Sequence, residues 1–169
     1  MNIDRFCSDL SAKLASATTQ EDGLATAAEE ISSYFDVEPH EIGFFSVDYP
    51  QHQIHFRWPP IMSHANRIPL KAFNSLVART ANDCQSFIDN MFAVTRHLFM
   101  FEHLLVDKAE RIPVQKVMSV PILGEKLAMG VIQVVRKGAS PDEAGADFNE
   151  ATVADLEQIA GVLSTFRLL

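Results

Sequence analysis

The C-terminal part of the chain decides the fold: it reads MSVPIL at 118–123, GEK at 124–126, LAMGVIQVVRKG at 127–138 and DFNEATVADLEQIAGVLSTFRLL at 147–169. The first and third segments are rich in branched apolar side chains, which suit strands that are buried on both faces of a sheet. The short segment between them contains a glycine and two charges, which predicts a tight turn exposed to water. We therefore predict a central β-hairpin followed by a C-terminal amphipathic helix.

The sequence also predicts the structural roles of individual residues in this part of the chain. Pro121 cannot donate a ladder hydrogen bond, so it lies at a bulge or faces away from a partner strand, and Gly130 marks a bulge or a close approach of another element. Asp147 is the predicted N-cap of the helix, with Glu150 three residues later. The apolar side chains that follow at helical spacing are Val153, Leu156, Ala160, Leu163 and Phe166.

Composition predicts one domain over residues 1–169, with a flanking helix at 1–18 and a core at 20–168. The chain has 169 residues and 47% hydrophobic content, enough for one good core. Its formal charge of -8 argues against nucleic-acid binding, which needs clustered Lys and Arg. The sequence has no apolar run of about 20 residues and no apolar signal-peptide core, so we expect no membrane association and a cytoplasmic location.

The segments upstream of the hairpin alternate between helical and strand patterns. We predict helices at 3–14 and 20–35, strands at 41–48 and 52–58, a short helix at 70–80, a strand at 84–89 and a helix at 91–105. This order is not βαβ alternation, and the hairpins at both ends imply a mainly antiparallel sheet. The fold class is therefore α+β, with the N- and C-terminal helices on one face of a central antiparallel sheet and shorter helices on the other.

Four short motifs in this order make residues 20–168 resemble a GAF domain. A V-A-R-T-like helix end is matched at 76–80, a V-P-L-like strand at 120–122, a G-V-L-x-L-like strand at 130–134, and an F-T-x-x-D-like segment before the last helix at 148–152. The resemblance implies the GAF fold and a sensory or regulatory role.

The sequence also departs from the motifs of particular GAF subfamilies. Residues 71–75 replace the glycine-rich entry to the short helix. Lys137 and Phe148 match the N-K…F-x-x-x-D-E pattern that is typical of cyclic-nucleotide binding, but its other members are replaced by Arg136, Thr152 and Val153. Neither cysteine is followed by the histidine that accompanies covalent bilin attachment. The resemblance therefore does not extend to these two ligands, and the cofactor stays unknown.

The sequence contains no recognisable catalytic or metal-binding pattern. The six histidines include no pair at i, i+4, so we favour core or surface roles for them. One alternative stays open, because some GAF sensors bind haem through a single axial histidine. Cys7 and Cys84 are too few for a disulfide framework and are expected to be buried thiols. However, GAF-like enzymes that reduce free methionine sulfoxide use cysteines, so a thiol-dependent reductase is the enzymatic alternative.

The segment FAVTRHLFMFEHLL at 92–105 is the best candidate for a ligand-facing element, because it combines apolar side chains with a few polar groups. The same spacing also suits a helix that simply packs on the sheet. The opposite wall would come from the first hairpin, where Phe45 and Trp58 would stack on a planar ligand, while Arg67 and Arg96 would bind an anion. The candidate ligand-binding residues are Phe45, Trp58, Arg67, Phe73, Phe92, Arg96, His97 and Phe101.

Three functional readings follow from the sequence. The first is a non-catalytic regulatory domain that binds a small molecule or a signalling protein partner. In GAF-like proteins the terminal helices commonly form a dimer, so we expect a homodimer through the helices that carry Phe6, Leu10, Leu14, Leu163 and Phe166. The second is the thiol-dependent reductase. The third is a ligand-free adaptor whose pocket is filled by side chains such as Phe92 and Phe101.

Overall fold

The computed structural model describes residues 2–60, 67–72, 74–94 and 112–169. The α-helices of these residues are α1 (Ile3–Ala15), α2 (Gln20–Phe35), α3 (Leu76–Asp83) and α4 (Glu150–Phe166). The strands are β1 (Ile42–Asp48), β2 (Gln53–Trp58), β3 (Ile68–Pro69), β4 (Phe87–Asp89), β5 (Val114–Leu123) and β6 (Ala128–Lys137). Short 3₁₀ helices cover Pro39–Glu41 and Phe92–Val94. The rest of the helix predicted at 91–105 lies outside the described residues.

The strands form one six-stranded sheet in the order β3-β2-β1-β6-β5-β4, and every neighbouring pair is antiparallel. The predicted antiparallel α+β architecture is therefore confirmed. The long β5–β6 hairpin occupies the interior of the sheet, where its strands are buried over almost their whole length. This burial on both faces explains why the hairpin sequence is almost continuously apolar.

The three helices nearest the two ends of the chain cover one face of the sheet. Helices α1, α2 and α4 contribute to a single apolar cluster with side chains from β1, β5 and β6. Leu10, Ile31 and Leu156 are fully buried in this cluster. We call this side of the sheet the helical face, and the first helix contributes to its core as fully as the others do.

Helix α3 lies on the opposite face of the sheet, which we call the α3 face. A second apolar cluster lies here, built from alternate residues of the same strands together with the buried side of α3. Phe45 and Phe56 pack against each other at its centre, with ring centroids 4.3 Å apart. The helices are thus divided between the two faces as the sequence predicts.

Side-chain caps set where the helices begin. Thr19 accepts a hydrogen bond from the backbone N–H of Asp22 at the start of α2, as predicted. The predicted cap of α4 is wrong: Asn149, not Asp147, caps it and forms a reciprocal capping box with Thr152. Asp147 instead pairs with the ammonium group of Lys116, at 2.7 Å.

The elements before and after α3 differ from the prediction. The helix begins at Leu76 rather than at residue 70, because Ser75 accepts the cap hydrogen bond from Ala78 N–H. The two-residue strand β3 comes directly before the predicted start of the helix, and Leu70 and Lys71 form a turn instead of a first helical turn. Helix α3 runs on to Asp83, and Cys84 ends it in the left-handed conformation, so the following strand is shorter than predicted.

Candidate functional site

A chain of hydrogen-bonded polar side chains lies in the core of the α3 face. The hydroxyl groups of Thr80 and Ser119 are 2.7 Å apart, and Gln133 Nε2 donates to Ser119 Oγ at 3.1 Å. Thr80 also donates to the carbonyl oxygen of Leu76 at 2.9 Å. Each of the three side chains is at most 4% exposed. Buried polar groups need such partners, so this chain fixes α3 to β5 and β6.

Three aromatic side chains are buried in the core of the α3 face. Phe45 is fully buried, and Phe56 and Phe92 are less than a tenth exposed in the same cluster. Phe45 therefore packs against the core rather than facing an open cavity.

Phe45 and Trp58, which were predicted to line one wall of a ligand pocket, do not lie on the same side of the sheet. A register shift next to Phe45 pairs Phe44 with Trp58 and Phe45 with Phe56. Trp58 consequently packs with the core of the helical face, where its Nε1 donates to the carbonyl oxygen of Pro39 at 3.2 Å. The predicted stacking of one planar ligand between Phe45 and Trp58 is wrong, because the two rings lie on opposite faces of the sheet.

Of the remaining predicted site residues, two lie in the described chain and four lie outside it. Arg67 is exposed, and its guanidinium donates to the side-chain oxygens of Gln51 and Gln53 at 3.4 and 3.2 Å. Phe92 belongs to the buried core of this face. The predicted residues outside the described part are Phe73, Arg96, His97 and Phe101.

An open pocket runs along the flank of α3, and we call it the flank pocket. Its volume is about 430 Å³, and it separates α3 from the segment that follows β3. Its lining residues are Leu70, Lys71, Ala72, Arg79, Asn82 and Asp83. Asn82 holds the two walls together, because its side-chain amide donates to the carbonyl oxygens of Leu70 and Ala78 at 2.7 and 2.8 Å.

The charges of the flank pocket favour an anion. Arg79 lies 3.6 Å from the carboxylate of Asp83 and stacks over the ring of Phe87, with its guanidinium carbon 4.1 Å from the ring centroid. Lys71 is exposed and forms no ion pair within the described parts of the chain. One lysine and one arginine against a single carboxylate leave an excess of positive charge at this pocket, in a protein whose overall charge is -8.

Sequence reasoning did not identify the flank pocket. Lys71 and Arg79 were noted only as members of the GAF-like motif segments, and Asn82 was not singled out. Lys71 is eight residues before Arg79, and it comes close to α3 only because an irregular segment after β3 turns back onto that helix. Asn82 could have been recognised as a polar residue that follows the apolar stripe of a short helix.

A larger groove of about 670 Å³ lies just beyond the C-terminal end of α3. The segment after α3, the end of β5 and one side of α4 form its walls. The residues that line it are Cys84, Gln85, Ser86, Pro121, Leu123, Val153, Glu157, Ala160, Gly161 and Ser164. The Ser86 hydroxyl donates to the carboxylate of Glu157 at 2.6 Å and connects two of these walls. We call this the thiol groove.

The two cysteines lie in separate environments, and both are free thiols. Cys84 is half-buried at the thiol groove, and its Sγ donates to the carbonyl oxygen of Ala81 at 3.6 Å. Cys7 lies on α1 near Asp155, and burial, with the nearby carboxylates of Asp4 and Asp155, raises its pKa. At about 100° per residue, Asp155 points away from the side of α4 that lines the groove. The thiols are therefore on different sides of α4.

No group of three or more potential metal-ligating side chains occurs within the described ranges. Of the histidines there, His55 lies 3.9 Å from the carboxylate of Asp48, at the outer part of the helical face. None of the helices in these ranges has the length and apolar character that a membrane span requires.

Comparison with solved structures places the fold among GAF domains. The GAF domain of a phosphoenolpyruvate-protein phosphotransferase from Acinetobacter superposes with a TM-score of 0.71 and 17% identity, covering 98% of this chain and 94% of that chain. The corresponding domain from Coxiella burnetii has a TM-score of 0.74 and 11% identity, and the coverage is 98% and 92%.

An enzyme shares the same fold. Free methionine-R-sulfoxide reductase from Neisseria meningitidis, in complex with its substrate, superposes with a TM-score of 0.66 and 16% identity, covering 97% of this chain and 87% of that chain. No protein-family model matches the sequence, and comparison with curated proteins gives no match. The protein is thus an α+β domain with a central antiparallel sheet. Its fold is the GAF fold.

Proposed function

We propose that the protein is a non-catalytic regulatory domain that binds a small anionic molecule in the flank pocket. The observation that supports this most directly is the pocket itself, in which Lys71 and Arg79 line a concave surface of about 430 Å³. This volume falls within the range of about 300–1,000 Å³ that is typical of small-molecule sites.

The flank pocket combines an apolar wall with fixed polar groups. Leu70 belongs to the core of the α3 face and Ala72 packs against that core, so this wall is held in place. Arg79 is held against the ring of Phe87, which leaves its guanidinium oriented before any ligand arrives. A planar guanidinium suits a carboxylate or a phosphate, with which it can form two parallel hydrogen bonds.

The test is a thermal-shift screen of the purified chain with inorganic phosphate, nucleotides and small carboxylic acids, followed by native mass spectrometry of any hit. A ligand present at 100 times its Kd stabilises the native state by about 2.7 kcal/mol. For a domain of this size such a stabilisation raises Tm by roughly 5–10 °C. If none of these anions raises Tm, the proposal fails.

A homodimer through the terminal helices is part of the same proposal, and the structure changes which residues would form it. Phe6, Leu10, Leu14 and Leu163 are at most 5% exposed, because they pack within a single chain. A dimer would therefore use the partly exposed apolar side chains of this layer, such as Val162 and Phe166. Light scattering that gives the mass of a monomer at micromolar concentration would contradict the dimer.

A thiol-dependent reductase is the second candidate, supported by the position of Cys84 at the thiol groove and by the fold shared with free methionine-R-sulfoxide reductase. Cys7 lies on a different side of α4, so an intramolecular disulfide between the two cysteines would not complete the cycle. Turnover of free methionine sulfoxide with an added thiol reductant, abolished by Cys84→Ser, would favour the enzyme over the regulatory domain.

The third candidate is a ligand-free adaptor. Burial of Phe92 in the core of the α3 face supports it, because this side chain would fill part of the predicted pocket. In this case no anion would bind at the flank pocket, and the protein would act through its surface alone. A cytoplasmic location is a further prediction that all three candidates share.

A further inference from the structure

The last residues of the chain fold back onto the domain after α4 ends. Arg167 adopts the left-handed conformation, with φ 49° and ψ 45°, and this turns the chain away from the helix axis. Leu168 is then only 7% exposed within the core of the helical face, and Leu169 is half-buried beside it. We call residues 167–169 the strap.

Two glycines on different elements form the notch that receives the strap. A methyl group added at Gly23 of α2 would lie 2.6 Å from Leu168 Cδ2, which is closer than any normal contact. A methyl group added at Gly130 of β6 would overlap Leu169 Cδ1 and would lie 2.6 Å from the carbonyl oxygen of Phe45. Both leucine side chains therefore lie in space that a Cβ atom at these positions would enter.

The polar contacts of the strap are weak. The Gln20 side-chain amide donates to the carbonyl oxygen of Arg167 at 3.3 Å, in an exposed position. Arg167 is one of four non-glycine residues with positive φ in the described chain, a conformation that costs free energy. The apolar contacts of Leu168 and Leu169 thus offset the strained conformation of Arg167 and the entropy cost of ordering the strap.

The main body of α4 does not depend on the strap. Leu156, Ile159 and Leu163 bury the rest of the helix against the sheet and its neighbours. Undocking of the strap would therefore require no unfolding of α4.

We propose that residues 167–169 are a releasable strap, which in its docked state locks the C-terminal end of α4 to α2 and β6. This inference is independent of the proposed ligand, since the notch lies on the helical face. Strand β6 connects the two faces, because Gly130 touches the strap and Gln133 belongs to the buried polar chain. Release of the strap would therefore loosen a strand that also supports the α3 face.

The test measures how fast a carboxypeptidase specific for aliphatic residues releases Leu169 from the folded 169-residue chain, read by mass spectrometry. The variants are Gln20→Ala, which removes the polar contact to Arg167, and Gly23→Val, which fills the notch. Neither change alters the residues that the protease cleaves. Gly161→Ala is the matched control, because a Cβ atom at this helical glycine meets no atom within 4 Å. A peptide with the sequence of the last residues gives the rate of a free chain end.

If the strap is docked, the protease should release Leu169 from the folded chain at least about ten times more slowly than from the peptide, because it cleaves only the undocked fraction. Gln20→Ala and Gly23→Val should each accelerate the release of Leu169 severalfold. Circular dichroism should show that both variants remain folded. Gly161→Ala should leave the release rate unchanged. Release from the wild type at the rate of the peptide would overturn the proposal, because the strap would then not be docked. Equal rates in the wild type and in both variants would also overturn it.

Discussion

Thr80 Oγ1 lies 2.7 Å from Ser119 Oγ, and this contact joins α3 to the centre of the sheet. Neither hydroxyl group is accessible to solvent. Because Ser119 also accepts a hydrogen bond from Gln133, it connects all three members of the buried polar chain. The position of α3, and with it the shape of the flank pocket, therefore depends on Ser119.

Replacement of Ser119 by alanine should lower the free energy of unfolding by about 1–3 kcal/mol, because the Gln133 amide loses its buried acceptor. Urea denaturation measures the change. Ser8→Ala, at an exposed position of α1, is the control and should change the free energy by less than about 0.5 kcal/mol. Equal stability of Ser119→Ala and the wild type would show that the hydrogen bonds of the buried polar side chains do not hold α3 in place.

The two helical glycines should respond differently to alanine. Gly161→Ala should stabilise the protein by about 0.5–1 kcal/mol, since alanine restricts the unfolded chain and the added methyl group meets no neighbour. Gly23→Ala should show less or none of this gain, because its methyl group displaces the Leu168 side chain. Thermal unfolding followed by circular dichroism compares the two variants. The same gain in both would mean that Leu168 does not fill the notch.

Tyr34 should make stability depend on pH in alkaline solution. Burial, followed by its hydrogen bond to Asp155, raises the pKa of Tyr34 from 10.0 to about 12. The folded state therefore holds this proton more tightly than the unfolded state does. The resulting stabilisation is complete below about pH 10 and is lost as the pH rises towards 12.

The measurement is urea denaturation of the wild type and Tyr34→Phe at several pH values from 8 to about 12. At pH 8 the variant should be less stable by about 0.5–1.5 kcal/mol, because the 2.9 Å hydrogen bond to Asp155 is lost. The difference should shrink between pH 10 and 12. A difference that stays constant over this range would contradict the raised pKa.

The two thiols should differ in their reaction with a disulfide reagent. Cys84 borders the thiol groove and is accessible, whereas burial and the carboxylates of Asp4 and Asp155 raise the pKa of Cys7 and lower its thiolate fraction. We expect one fast equivalent of reaction at pH 8, which Cys84→Ser abolishes and Cys7→Ser retains. Loss of the fast phase in Cys7→Ser instead would contradict this assignment.

The local pattern of the sequence predicts the architecture well where packing and periodicity agree. The β5–β6 hairpin was predicted from its apolar strands and glycine turn, and Gly130 was predicted to mark a bulge or a close approach. The structure confirms the close approach, with Leu169 and the Phe45 carbonyl oxygen against its Cα. Which atoms approach a glycine is set by tertiary structure, so the sequence could not identify Leu169 as the neighbour.

The candidate site was harder to predict because it depends on register and on irregular backbone. The sequence predicts Phe45 and Trp58 on one wall of a pocket. The register shift in the β1–β2 pair instead places their side chains on opposite faces of the sheet, and the composition of the two strands does not indicate this shift. Lys71 and Arg79 line one pocket because Lys71 lies in a turn after β3 and the cap at Ser75 delays the start of the helix to Leu76. Four of the predicted site residues lie outside the described residues and stay predictions.

The central claim is that an anion binds between Lys71 and Arg79, and a comparison of charge variants tests it most directly. The proteins are the wild type, the double variant Lys71→Gln with Arg79→Gln, and the control Lys126→Gln at the exposed tip of the β5–β6 hairpin. The measurement is the shift in Tm of each protein over the same panel of phosphate, nucleotides and carboxylic acids. We predict that at least one anion raises Tm in the wild type and in the control, but not in the double variant. An equal shift in the double variant, or no shift in the wild type, would contradict the claim.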